Sequence, residues 1–202
     1  MKDISKSEKK VSHNVVKIVH NKLKIVNELH KKSCSVVCEN GGDILEVGFG
    51  AGVDSDFIQS HNIKSHTVVE IDDFFFDKLR QWAIDKPNVK PIKGDWLTHI
   101  PEGKKYDGIF LDVWDTGEDL TKDLFNIIKE HCKPGTIFAC ITVPIFDKEL
   151  FINDPDFIYE EIDPKIKLKW YHLLSRLIMY IQRKHNHILA YSSMIRKVTY
   201  KC

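Results

Sequence analysis

The stretch Asp43-Ile44-Leu45-Glu46-Val47-Gly48-Phe49-Gly50-Ala51-Gly52 restricts what this chain can fold into more than any other. Its first half is a short apolar run of the kind a buried strand needs. Its second half sets glycines at alternate positions, where a side chain would obstruct a tight turn or an approaching ligand. Behind the loop, Val53, Phe57 and Ile58 fall on one helical stripe beside Asp54, Ser55, Asp56 and Gln59. Strand, glycine loop and helix in that order open a nucleotide-binding α/β domain. A bare turn explains the pattern less well, because three glycines at this spacing weaken a fold unless something must come close to the backbone.

Two cofactor classes use such a loop. A dinucleotide fingerprint wants Gly or Ala where this chain has Val53, and it seats a pyrophosphate on the positive start of the helix. Here Asp54 and Asp56 occupy that first turn and would repel a pyrophosphate. The same charge suits a ligand carrying an ammonium and a sulfonium, as S-adenosylmethionine does. Glu46, two residues before the first glycine, points the same way.

The 202 residues, 43% of them hydrophobic, suffice for one medium-sized domain with a sizeable core. The charged start Met1-Lys2-Asp3-Ile4-Ser5-Lys6 lacks the apolar centre of a signal peptide, and no stretch is long and apolar enough to span a bilayer. These features lead us to expect a soluble, intracellular, cytoplasmic protein with no membrane partner. Five cysteines without a C-x-x-C pair or a zinc spacing read as free thiols, and His185 and His187 as polar content of a strand, so no metal is expected. Met1 to Lys32 holds nine lysines against three acids. That bias reads either as the solvated face of a helix or as a contact for a nucleic acid, and arginine and interleaved aromatics are absent from it.

Taken in order, residues to about Lys10 have the composition of a flexible arm, and Val15, Ile18, Val19, Leu23, Val26 and Leu29 then recur at helical spacing. The division expected is a basic arm and amphipathic helix over 1–40, packing on the sheet or over the cleft, and a main domain over 41–202. Ser65 to Ile71 reads as the second strand, closing on Glu70, where a βαβ unit places an acid for ribose hydroxyls. Asp73 to Trp82 reads as a helix capped by Asp72 or Asp73, and Val89 to Lys93 as the third strand. Gly94-Asp95-Trp96 follows at the carboxyl edge, where Asp95 can accept from an adenine amine and Trp96 can stack or anchor the loop. Tyr106 to Asp112 reads as the fourth strand, running into the polar-aromatic loop Val113-Trp114-Asp115-Thr116-Gly117-Glu118-Asp119. A helix over Asp123 to Cys132, a fifth strand over Thr136 to Thr142, a helix over Lys165 to Lys184 and two short strands, His187 to Tyr191 and Ile195 to Tyr200, complete the reading.

The series Glu46 to Gly52, Glu70, Gly94-Asp95-Trp96, Tyr106-Asp107-Gly108-Ile109 and Lys133-Pro134-Gly135 resembles the successive motifs of class I S-adenosylmethionine-dependent methyltransferases. Phe49 inside the loop, Arg80-Gln81-Trp82-Ala83 after Glu70, and Asp112 beyond the Tyr-Asp-Gly-Ile run make the guanidinoacetate methyltransferase and type IV protein arginine methyltransferase group the most similar. The resemblance covers about Gly42 to Thr142. It implies an α/β fold with a Rossmann-like seven-stranded sheet flanked by helices. It also implies cofactor contacts from Glu46, Gly48, Phe49, Gly50, Gly52, Glu70, Ile71, Asp95 and Trp96, with Asp112 binding a guanidine. The family's Glu-Arg-Trp-Glu-Thr-type segment, source of its second guanidine-binding carboxylate, has no counterpart in the lysine-rich helix here.

The function expected is methyl transfer from S-adenosylmethionine, leaving S-adenosylhomocysteine, to a guanidine or amine nitrogen of a small molecule or an arginine side chain. Asp112, Trp114 and Asp115 are the candidate catalytic residues, with Asp115, Glu118 or Asp119 open as the proton acceptor. The alternative expectation is a non-catalytic module of the same fold that binds a nucleic acid or protein through its basic N-terminal helix.

Overall fold

The computed structural model describes residues 27–112, 120–140, 148–162 and 195–201. The described residues form a seven-stranded sheet in the order β3-β2-β1-β4-β5-β7-β6. The strands are β1 (Asp43–Val47), β2 (Ser65–Glu70), β3 (Val89–Lys93), β4 (Tyr106–Leu111), β5 (Cys132–Cys140), β6 (Phe157–Ile162) and β7 (Ile195–Tyr200). The first five run parallel, whereas β7 is antiparallel to both β5 and β6. The helical segments are α1 (residues 27–37), α2 (Val53–Gln59), α3 (Asp73–Trp82), α4 (Trp96–His99), α5 (Leu120–His131) and α6 (Lys148–Asn153). No helix among the described residues is long and apolar enough to cross a membrane.

Strand alternation decides the two cores, because successive side chains point to opposite faces. Leu45 and Val47 of β1 join Ile109 and Leu111 of β4 on the face covered by α5 and α6, with Phe138, Phe151 and Phe157. Ile44 of β1 and Phe110 of β4 lie on the other face with Leu29, Cys34 and Val37 of α1 and Ile58 of α2. Helix α1 reaches that face closely because β4 has glycine at 108. A Cβ there would stand 2.4 Å from the Val37 carbonyl oxygen and 2.8 Å from Ile44 Cδ1, closer than real atoms pack.

The expected bounds of β1, α3, β3 and β7 agree with those observed. The helix expected over Asp123 to Cys132 begins at Leu120 and ends at His131, and β5 runs from Cys132 to Cys140 rather than from Thr136. Cys132 is drawn into the sheet by pairing with Tyr106, a contact that local helix signals do not contain. Helix α6 and strand β6 were not anticipated. Strand β6 ends the sheet and alternates only weakly, Phe157 being buried and Ile158 exposed, and its pairing with β7 over Phe157 to Ile162 is what makes it a strand. The helix expected over Lys165 to Lys184, the run His187 to Tyr191, the loop 113–119 and residues 1–26 lie outside the described residues.

Helix α2 corrects the stripe expected for it. Val53 is 41% exposed, and the residues turned inward are Asp54, Ser55 and Ile58. The polar pair is tolerated inside because each side chain finds a partner, Ser55 on Glu46 and Asp54 on His30.

Candidate active site

The carboxyl ends of β1 to β4 enclose a cleft of about 550 Å³, at the point where strand order reverses between β1 and β4. The loop after β1 forms its floor. Gly48, Gly50 and Gly52 all have positive φ, at 88°, 49° and 79°. At Gly52 a side chain would also strike the Phe49 ring, 2.8 Å from the position a Cβ would take. Phe49 itself turns into the core against Val68, Leu79 and the Trp82 ring, with 5.6 Å between ring centroids, so the loop presents backbone to the cleft.

Glu70, at the end of β2, braces this loop. Its Oε2 accepts from the backbone N–H of Phe49 at 2.8 Å and of Gly50 at 3.2 Å, and its Oε1 accepts from Asp72 N–H at 2.8 Å. A carboxylate offers about four acceptor positions, so three N–H partners leave room for a further donor from the cleft. Ile71 lies on the rim, 62% exposed, and Asp72 caps α3 by accepting from Phe75 N–H. Trp96 both lines the cleft and packs against the main core, which joins the two roles open for it in the sequence. Asp95 caps α4, its Oδ1 accepting from Leu97 N–H at 3.0 Å, and is not among the residues lining the cleft.

Glu46 is placed elsewhere than expected. It shares the face of Ile44, is fully buried beneath α2 and does not line the cleft. Ser55 Oγ donates to its Oε2 at 2.6 Å, and His66 Nε2 stands 2.9 Å from the same oxygen without hydrogen-bond alignment. Burial pushes the Glu46 carboxyl well above the usual range, and burial pulls His66 down to about 3. Burial thus disfavours the charged form of both side chains. Strand parity is the reason, since Glu46 is one residue short of the cleft edge and points into the helix layer.

Asp112, directly after β4, does line the cleft, held by its backbone N–H to the Val47 carbonyl at 3.1 Å. Beside it the fold assembles two residues that the motif reading did not place together. His30 Nδ1 donates to both Asp54 oxygens, at 2.8 and 3.0 Å, and polar atoms of His30, Asp54 and Asp112 lie within 4.8 Å of one another. Cys34 Sγ approaches Asp54 Oδ1 at 3.6 Å from the same helix as His30. Burial by itself would lower the His30 pKa, but the Asp54 hydrogen bond and the charges of Asp54 and Asp112 outweigh it and hold the imidazole above its ordinary 6.5. The spacing would also admit a divalent cation, although Nδ1 is already committed to Asp54.

His30 and Asn27, both lining the cleft, went unassigned in the sequence. A signal for His30 was present, because it falls four residues after Val26 and beside Leu29, where the apolar stripe of the helix should continue. Trp114 and Asp115 lie outside the described residues.

Comparison with known proteins bears on what this cleft serves. The model of the guanidinoacetate N-methyltransferase family matches residues 16–143. Protein arginine N-methyltransferase 2 of Candida glabrata is 30% identical over 103 residues, covering 48% of this chain and 25% of that protein. Its namesake in Saccharomyces cerevisiae is 26% identical over 130 residues, covering 61% of this chain and 30% of that protein. The chain thus spans between a quarter and a third of the length of these relatives. Among solved structures, the N-methyltransferase NodS from Bradyrhizobium japonicum WM9 superposes with a TM-score of 0.64 at 13% identity, over 88% of this chain and 97% of that one. An O-methyltransferase from Bacillus cereus, solved with S-adenosylhomocysteine, gives 0.57 at 14% identity, over 85% and 80%. At such identities the likeness is one of fold.

Proposed function

The chain belongs to the guanidinoacetate N-methyltransferase family, and from that membership we propose that it transfers a methyl group from S-adenosylmethionine to a guanidine or amine nitrogen. The observation that carries this reading is the charge of the cleft wall. Asp54, Glu70, Asp72 and Asp112 line it, and no lysine or arginine does among the described residues. Such a wall attracts a sulfonium, an ammonium or a guanidinium and repels phosphate.

The residues present fit the cofactor. The glycine loop gives it a floor of backbone, Glu70 retains acceptor capacity for ribose hydroxyls, and Ile71, Gly94 and Trp96 bound the side where an adenine would lie. When bound, the cofactor supplies a methyl group activated on a sulfonium centre. The protein's own contribution is placement, which in well-oriented model systems lowers a barrier by about 7 to 11 kcal/mol. Asp112 orients the acceptor nitrogen by charge-assisted hydrogen bonds and stabilises the positive charge that develops on it. The arginine methyltransferase relatives support an arginine side chain or a small guanidine as the acceptor class.

The test is a turnover assay following S-adenosylhomocysteine release with guanidinoacetate, other small guanidines and amines, arginine-containing peptides and RNA. Asp112→Asn should lower turnover on the guanidine substrates about ten- to a hundredfold, the worth of a hydrogen bond to a charged group. Turnover on RNA alone would sink the acceptor reading. Binding of S-adenosylhomocysteine without turnover on any acceptor would make the non-catalytic module the better account.

A further inference from the structure

Methylation of a nitrogen releases a proton, and among the described residues polar atoms of His30 and Asp54 stand within 4.8 Å of Asp112. We propose that His30, oriented by Asp54, is the base that takes this proton from the acceptor nitrogen, while Asp112 holds the acceptor from the other side. This rests on the cleft being an N-methyltransferase site. His30 lines that cleft beside Asp112, its side chain only 13% exposed. Its Nδ1–H is fixed on the two oxygens of Asp54, so in the neutral ring the lone pair is on Nε2. Asp54 is in turn immobilised at the first turn of α2, beside the Cys34 thiol. Base, orienting carboxylate and substrate-binding carboxylate then stand in the relation that nucleophile-activating dyads require.

The step balances as follows. The nitrogen lone pair forms the N–C bond to the methyl carbon, and the C–S bond breaks with its electron pair on sulfur, which loses its positive charge. The N–H proton passes to Nε2 of His30, giving an imidazolium paired with Asp54, and then to solvent. The charged groups acting on His30 are Asp54 from α2 and Asp112 directly after β4, and the Cys34 thiol of its own helix lies against Asp54. Of these, the two carboxylates lift the imidazole pKa against the effect of burial, toward the neutral range in which a general base works best.

The experiment compares the full chain with His30→Gln, His30→Ala and Asp54→Asn. With a guanidine acceptor, the wild-type rate should rise with pH through an ionisation near or above 6.5. His30→Gln should lose that limb and at least about a hundredfold in kcat, the lower range for general-base catalysis, while binding S-adenosylhomocysteine within threefold of wild type. Added imidazole should restore part of the His30→Ala rate, and Asp54→Asn should move the limb to lower pH. A second readout needs no turnover. With S-adenosylhomocysteine bound, addition of guanidinium ion should lower the His30 pKa followed by imidazole NMR, because a cation placed between Asp54 and Asp112 competes with the ring proton.

An unchanged limb in His30→Gln, or a His30 titration indifferent to guanidinium, overturns this proposal and leaves the methyltransferase reading standing. Loss of wild-type activity in a chelator overturns it too, since His30 would then serve a metal. Absence of turnover on every acceptor overturns both.

Discussion

The two edges of the sheet use the same residue type in opposite ways. At the amino edge, Asp43 takes a hydrogen bond from Ser65 at 2.5 Å and faces Lys64 and Lys104 at 3.2 and 3.7 Å. Asp107 accepts the Asp43 backbone N–H at 2.7 Å and pairs with Lys133 at 2.9 Å. The Ser65 hydrogen bond, helped by the two lysines and outweighing burial, holds the Asp43 carboxyl below the usual carboxylate range. At the carboxyl edge no lysine answers Asp54 or Glu70 among the described ion pairs. Glu70 is met by three backbone N–H groups and Asp54 by His30. Acids neutralised by lysines tie strands together, whereas acids held by dipoles and one imidazole keep a negative field in a cleft.

The strongest way to break this comparison is to remove one acid from each edge. Glu70→Ala frees three N–H groups and unbraces the glycine loop, so calorimetry should show S-adenosylhomocysteine affinity falling by roughly ten- to a hundredfold. Asp107→Ala should leave that affinity within twofold and cost about 1 kcal/mol of stability, the scale of a partly exposed ion pair. Comparable affinity losses in the two variants would mean that the edges do not differ in role.

Helix α1 connects the edges, since Val37 lies on Gly108 while Asn27 and His30 reach the cleft. Gly108→Ala should therefore push α1 off the sheet. We expect a loss of about 1 to 3 kcal/mol, the usual cost of overpacking, seen as a lower urea midpoint with an unchanged slope. A variant as stable as wild type would show that α1 is not seated on β4.

The smallest expected effect concerns Glu46. A carboxyl whose folded pKa is raised adds stability that is fully present below its unfolded value of 4.5 and is lost as pH rises through the folded value. His66, lowered to about 3, contributes in the opposite sense, its share being full above 6.5 and lost as pH falls toward 3. Glu46→Gln removes only the first of these. Its melting temperature should match or exceed that of wild type at pH 8, and its S-adenosylhomocysteine affinity should stay within threefold. A tenfold drop in affinity would return Glu46 to the cofactor site.

What was legible in the sequence was local. Asp43 to Val47, Asp73 to Trp82 and Val89 to Lys93 announce themselves by apolar runs, a capping aspartate and breaking residues, all within a few positions of one another. Strand β6 did not, because the strand that makes it one, β7, is over thirty residues away. The glycine loop and its acids likewise pointed to a cationic cofactor before any geometry was known. The same reading assigned Val53 inward and Glu46 to the cleft, and it left His30 unassigned.

The amino-acid order by itself determined the strand, glycine loop and helix unit, the series of motifs along the parallel strands and the negative sign of the site. Tertiary structure alone decided which acids form that site. Glu46 went beneath α2 by strand parity, and Asp54 was turned inward to meet a histidine twenty-four residues earlier. Periodicity and capping act between neighbours along the chain, so a sequence displays them directly. A carboxylate's role depends on which distant groups share its low-dielectric surroundings, and that is settled only when the helices dock on the sheet.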